Sequence, residues 1–186
     1  AAGIPGPYLV VDIGGGSTEF VLGTTAVEAS LSTDVGCVRL TERHLRSDPP
    51  TEAEVAAARA DVEAAINAAA DVVPLDRTAT LVGLAGSVTT VTAHALALAA
   101  YEPTAIHLST MDAAAMRAAC DDLIAMSRAD RAALPFMHPG RVDVIGGGAL
   151  VLDRILKATG LSDVLASEHD ILDGIAWSLA DASEVE

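Results

Sequence analysis

A mixed α/β lobe is the fold this sequence predicts, on three observations. Residues 8–33 hold three short strand-like runs joined by tight turns. Alanine-rich stretches with helical spacing come next, and brief apolar runs ending in small residues sit between them. A meander followed by strand–helix alternation builds a mixed sheet with helices on its faces. The main order gives five strands, with a further short strand read at 105–108.

Each element has a local reason. Gly3-Ile4-Pro5-Gly6-Pro7 punctuates the chain too often for regular structure, so 1–7 reads as a linker and 8–186 as one lobe. Tyr8–Val11 is an apolar run ending in Asp12, and Gly14-Gly15-Gly16 forces a turn. Thr18–Gly23 alternates polar and apolar residues, and Val27–Thr33 gives a third strand. Thr51-Glu52-Ala53-Glu54 is a capping box opening a helix that carries Val55, Ala58, Val62, Ile66, Ala69 and Val73 on one face and stops at Pro74. Thr78–Leu84 reads as a strand, and Ala85-Gly86-Ser87 turns into a helix over 88–100 with Ser87 as its N-cap. Asp112 caps a helix whose apolar face is Met116, Cys120, Leu123 and Ile124, and 128–134 forms a short helix. Gly146-Gly147-Gly148 leads into a helix that runs to Lys157, stopped by Gly160. Val164–Ser167 is the last strand, and a last helix spans 170–182.

Composition narrows the function. The chain has 186 residues, 51% apolar and only 3% aromatic, so its core is aliphatic. A formal net charge of -15 argues against nucleic acid, whose binding requires neutralising many phosphates in a row. A small anion remains admissible, since backbone amides and a bound cation attract phosphate locally. Cys37 and Cys120 stand far apart, which favours free thiols and a reducing cytoplasm over a disulfide framework. No uninterrupted apolar run reaches about 18 residues, so no membrane span is expected. The opening Ala1-Ala2-Gly3, without Met or a signal-peptide pattern, suggests a cut at a domain boundary.

Three segments carry chemistry. In Asp12-Ile13-Gly14-Gly15-Gly16-Ser17-Thr18-Glu19, a strand delivers a carboxylate to the sheet's edge, and glycines then expose successive N–H groups as an anion nest. Ser17 and Thr18 add hydroxyls. A carboxylate beside a phosphate nest repels phosphate unless a cation lies between them, so Asp12 reads as a Mg²⁺ partner, through water. Glu19 returns on the second strand to hold water or metal. A plain glycine hairpin is the bland alternative, but it does not need a strand-terminal Asp before three glycines. The second segment, Gly83–Thr90, places Gly86 and Ser87 where a helix N-terminus offers amides to an anion, although ordinary strand-to-helix loops share this composition. The third is Arg141 ahead of the three glycines. Its fork suits phosphate oxygens, and close packing of helix on sheet explains the glycines by themselves. Among the rest, the five histidines lack ligand spacing, His94 reads as a packed residue, Cys37 as an inert small hydrophobe in a strand or turn, and Asp121-Asp122 as a solvated helix face.

The stretch Leu9–Phe20 resembles the phosphate loop of the exopolyphosphatase/guanosine pentaphosphate phosphohydrolase family. Val35–Glu42 is similar to that family's third strand and the turn after it. Gly83–Thr90 resembles its second loop, with Ala85 and Ser87 where Gly and Thr are common. Arg141–Leu152 and Ala166–Ile175 extend the match over nearly the whole chain. The resemblance implies a ribonuclease H-like lobe of the actin/sugar-kinase type, the second of two. It implies Mg²⁺-dependent removal of the terminal phosphate of inorganic polyphosphate or guanosine pentaphosphate by water. Asp12 and Glu19 would then bind metal and Glu19 would position the water. Gly14, Gly15, Gly16, Ser17, Thr18, Gly86, Ser87 and Arg141 would bind phosphate.

In such enzymes a first domain supplies the other phosphate loop and the presumed catalytic Glu. This chain begins after that point, so the expected partner is that first domain, a homodimer is possible, and the lobe alone should bind phosphate weakly and not turn over. Two other readings fit the loops: an ATP-binding lobe of a kinase-like enzyme, and a non-catalytic lobe that senses a phosphorylated nucleotide.

Overall fold

The computed structural model describes residues 3–183. Ala1 and Ala2 of the expected linker and residues 184–186 of the expected lobe lie outside the described residues. Six strands form one sheet: β1 (Tyr8–Ile13), β2 (Thr18–Gly23), β3 (Val27–Thr33), β4 (Thr80–Leu84), β5 (Thr110–Asp112) and β6 (Asp163–Ala166), in the order β3-β2-β1-β4-β6-β5. The central strands β1, β4 and β6 run parallel, while β2, β3 and β5 pair antiparallel. The meander β1-β2-β3 followed by parallel strands is a ribonuclease H-like arrangement.

Among the described residues there are eight α-helices: α1 (Cys37–His44), α2 (Glu52–Ala70), α3 (Ala85–Ala95), α4 (Pro103–Ile106), α5 (Ala113–Ala125), α6 (Arg128–Ala132), α7 (Ile145–Thr159) and α8 (Ile171–Ser183). Strand alternation sends Leu9, Val11, Ile13, Phe20, Leu22 and Leu81 into a core that α1, α2, α3, α5 and α7 complete. Removing this aliphatic surface from water, at about 25 cal/mol per Å², drives the association of helices that are mostly too short to be stable alone. The expected capping box is present: Thr51 Oγ1 accepts from Glu54 N–H at 3.3 Å, and Thr51 N–H donates to Glu54 Oε2 at 2.8 Å. Asp112 caps α5 by accepting from Ala115 N–H at 2.8 Å, and Gly160 ends α7 in the left-handed region with φ +64°. No helix of the described residues is long and apolar enough to cross a membrane.

Four expectations need correction. The sheet has six strands rather than five, and the edge strand falls at Thr110–Asp112 instead of 105–108. Pro103, at the first helical position, starts a single turn there, as its fixed φ favours. Residues 37–44 are helix, not strand and turn. α3 begins at Ala85, so Ser87 lies inside its first turn and caps nothing through its side chain. The three glycines of α7 lie within the helix and face other helices more than the sheet. A β-carbon on Gly147 would sit 2.6 Å from Cys37 O, and one on Gly148 2.3 Å from Ser87 Oγ. That closeness draws α1 and the start of α3 against α7, and with them the two glycine loops.

One buried ionic knot fastens the helices. Asp153, 1% exposed, accepts from Arg117 Nε at 2.8 Å and pairs with Arg154, which also reaches Glu63 Oε1 at 3.1 Å. It joins α5, α7 and α2 at a distance in sequence that no local pattern encodes.

Candidate functional site

The carboxyl ends of the parallel strands meet at one sheet edge, the place where open α/β sheets bind ligands. Residues 14–17 follow β1 there, α3 follows β4, and residues 167–170 follow β6. A cleft of about 210 Å³ opens at this edge, lined by Ile13, Gly14, Gly15, Cys37, Ala85, Gly86, Ser87, Arg141, Val144 and Ile145. All three segments singled out in the sequence therefore contribute to one concavity.

Helix α1 sets the conformation of the first loop. Cys37 N–H donates to Gly14 O at 2.9 Å, and Val38 and Arg39 N–H donate to Gly15 O at 2.9 and 3.1 Å. Helix termini leave their first N–H groups without partners, and here the loop's carbonyls take them. The loop is thus held by its carbonyls, with its amides left over. Among the described residues, no protein acceptor takes the N–H groups of Gly15, Gly16 or Ser17. Gly14 differs, because its N–H donates to Ser17 O at 3.0 Å. Thr18 differs too: its side chain is fully buried and its hydroxyl donates to Val35 O at 2.6 Å. It fastens the hairpin to the segment before α1 and does not offer the expected hydroxyl to the cleft.

Asp12 and Glu19 are direct cross-strand partners in the β1–β2 ladder. Ser32 Oγ donates to Glu19 Oε1 at 2.6 Å. Asp12 is half-buried, and burial pushes its carboxyl above the usual range, with Glu19 and Asp170 adding to the shift. Among the described residues no cationic side chain pairs with Asp12. Asp170 was not singled out in the sequence. The available signal was its place just after a strand parallel to and beside β4, whose end must reach the same edge.

At the second loop, Ala85 holds φ +67°, a conformation costing a non-glycine residue about 1–2 kcal/mol. Ala85→Gly relieves that strain but frees the unfolded chain. The expected net is a stability gain of about 0.5–1 kcal/mol, read as a higher denaturant midpoint with an unchanged m-value. A lower midpoint would contradict the strain. Arg141 lies over this loop: a β-carbon on Gly86 would meet its guanidinium at 2.2 Å. Its Nη1 donates to Thr90 Oγ1 at 2.8 Å, and its Cζ sits 5.8 Å from the Tyr101 ring centroid. Tyr101 and Glu168 were also missed, since only the fold brings residues 90, 101, 141 and 168 together.

A family model described as the Ppx/GppA phosphatase family matches residues 4–182. The chain belongs to that family. Exopolyphosphatase 2 of Mycobacterium tuberculosis is 53% identical over 178 residues, covering 94% of this chain and 56% of the relative. A solved exopolyphosphatase-like protein superposes with a TM-score of 0.95 at 38% identity, covering 97% of this chain and 62% of that one. The Aquifex aeolicus PPX-GPPA enzyme gives 0.83 at 27% identity, covering 93% and 57%. This Ppx/GppA chain thus spans little more than half the length of these three relatives. Its Cys37, read as an inert hydrophobe, lines the cleft where α1 meets the glycine loop.

Proposed function

We propose that this lobe binds the terminal phosphate of inorganic polyphosphate, for its removal by water in the longer protein. The observation that carries the reading is the meeting, at one sheet edge, of the Gly15–Ser17 N–H groups that no protein acceptor takes among the described residues, the Asp12–Glu19 carboxylate pair and the Arg141 fork. The name of the 53% identical relative favours polyphosphate over guanosine pentaphosphate.

The donor set suits Mg²⁺. Asp12 is raised by burial and by two neighbouring carboxylates and has no cationic partner, a placement that a bound cation relieves. Mg²⁺ keeps several waters and needs only one or two protein carboxylates. Asp12 and Glu19 would hold it, and when bound it would supply charge neutralisation at the phosphate oxygens. The other tasks belong to the chain. The amides of Gly15, Gly16 and Ser17 and the first turn of α3 at Gly86 and Ser87 orient the terminal oxyanions. Arg141 grips the phosphate oxygens beside them, and Glu19 orients the attacking water. Phosphoryl transfer asks little more than this positioning and charge stabilisation. The remaining length of the relatives is assigned to a lobe that closes on the cleft and excludes water.

Steady-state phosphate release by the intact protein tests this. Release from polyphosphate should exceed release from guanosine pentaphosphate and ATP, and chelating the divalent cation should abolish it. Preference for ATP, or activity indifferent to chelation, would overturn the reading. This lobe alone should bind tripolyphosphate without turning it over.

A further inference from the structure

We propose that Thr90 and Tyr101 are positioning residues that fix the Arg141 guanidinium over the phosphate cleft; the inference rests on the phosphate reading above.

Arg141 closes a short 3₁₀ turn, Pro139–Arg141, just ahead of α7. An arginine at such a place has many rotamers and would lose that freedom on gripping an anion. Here the freedom is already gone. Thr90 Oγ1 accepts from Nη1 at 2.8 Å, the Tyr101 ring lies under Cζ at 5.8 Å, and the bare α-carbon of Gly86 seats the guanidinium. Holding a ligand group in its bound geometry beforehand raises affinity by cutting the ordering cost.

The supports are themselves fixed. The Tyr101 hydroxyl lies 2.7 Å from Thr89 Oγ1 and 2.8 Å from Glu168 Oε1. A phenol has one proton, so Tyr101 donates to the Glu168 carboxylate and accepts from Thr89. Glu168 is held in turn through its N–H, which donates to His107 Nδ1 at 3.2 Å. Three segments therefore converge on one guanidinium: α3, the loop after it, and the exit of β6.

Thr90 differs from Thr92 and Thr41. Helical threonines commonly donate back to the carbonyl four residues earlier. Thr92 does so to Val88 O at 2.9 Å, and Thr41 to Cys37 O at 2.7 Å. Thr90, 1% exposed, makes no such bond among the described residues and serves instead as acceptor for Arg141. A hydroxyl needed only for packing could be replaced by a methyl group without consequence.

That difference sets the test. Thr90→Val, Thr90→Ser and Arg141→Met, singly and with Thr90→Val and Arg141→Met combined, are assayed in the intact protein for polyphosphate hydrolysis. Tripolyphosphate affinity is measured by calorimetry alongside. Thr90→Val should raise KM and Kd about 2–10-fold, the cost of ordering one freed rotamer-rich side chain, with kcat within about twofold and Tm lower by no more than about 2–4 °C, the loss of one hydrogen bond. Thr90→Ser should restore parental values. In the Arg141→Met background, Thr90→Val should add nothing, because its effect passes through the arginine. Tyr101→Phe, which keeps the ring and loses both hydroxyl contacts, should show a smaller rise of the same kind. Parental KM in Thr90→Val, or a penalty undiminished without Arg141, overturns this inference alone. A parent protein that neither binds nor hydrolyses polyphosphate overturns the phosphate reading and this inference with it.

Discussion

Asp12→Asn is expected to lower phosphate release by a factor on the order of 10²–10³, the scale set by removing one preorganised electrostatic group, while leaving the fold as stable or more so. The two halves have one cause. Asp12 ends β1 half-buried, facing Glu19 across the ladder and within reach of Asp170, so its carboxyl is raised from the ordinary 3.8, first by burial and then by those two charges. A carboxyl whose folded pKa lies above its unfolded value binds more protons folded than unfolded. Its contribution to stability is therefore fully present below the unfolded pKa and lost as pH rises through the folded one. At neutral pH and without a cation, Asp12 opposes folding, and the amide removes that opposition. Adding Mg²⁺ should reverse the ranking: the parent gains thermal stability by linkage, and Asp12→Asn does not. Thermal melts with and without the cation, beside the activity assay, check both halves. A variant that loses stability in cation-free buffer would mean Asp12 serves the fold.

Gly36→Ala carries the second large effect. Gly36 precedes α1 in an extended conformation, φ -151°, that any residue adopts, so the argument is purely one of space. A β-carbon there would lie 2.6 Å from Gly15 O and 2.7 Å from Ser17 N. Both are backbone atoms of the glycine loop, and neither yields without moving it. Overpacking of this kind costs about 2–3 kcal/mol, or a Tm lower by on the order of 5–10 °C for a domain of this size. Displacing the loop by even 1 Å should cost activity about 100-fold. Gly174→Ala in α8, where an added β-carbon meets nothing within 4 Å, is the control and should hold or slightly raise stability. Melting and activity of Gly36→Ala near parental values would show that α1 does not clamp the loop.

Local sequence was informative where the cause was local. The Thr51–Glu54 box, the Asp112 cap, the Gly160 stop and the glycine hairpin after Asp12 each depend on residues within a few positions, and each was readable. Helix α1 was not, because what starts it is the pair of carbonyls at Gly14 and Gly15, some twenty residues back in sequence. The same loop explains Thr18, whose hydroxyl is taken by Val35 through a contact seventeen residues apart. At the second loop, Gly and Ser pointed to a helix start, yet Ser87 was placed as a cap when it packs inside the first turn. Asp170 and the Thr90–Tyr101–Glu168 group escaped because their meeting depends on the order β1-β4-β6, a property of the sheet as a whole.

The central claim is that α1 holds the glycine loop by its carbonyls so that its amides face an anion. Amide ¹H–¹⁵N spectra of this lobe, titrated with tripolyphosphate in the presence of Mg²⁺, address it directly. Gly15, Gly16 and Ser17 should shift together and saturably, with Gly86 following and the buried Thr18 amide region moving far less. Saturable binding that leaves the Gly15–Ser17 amides unmoved would contradict the account.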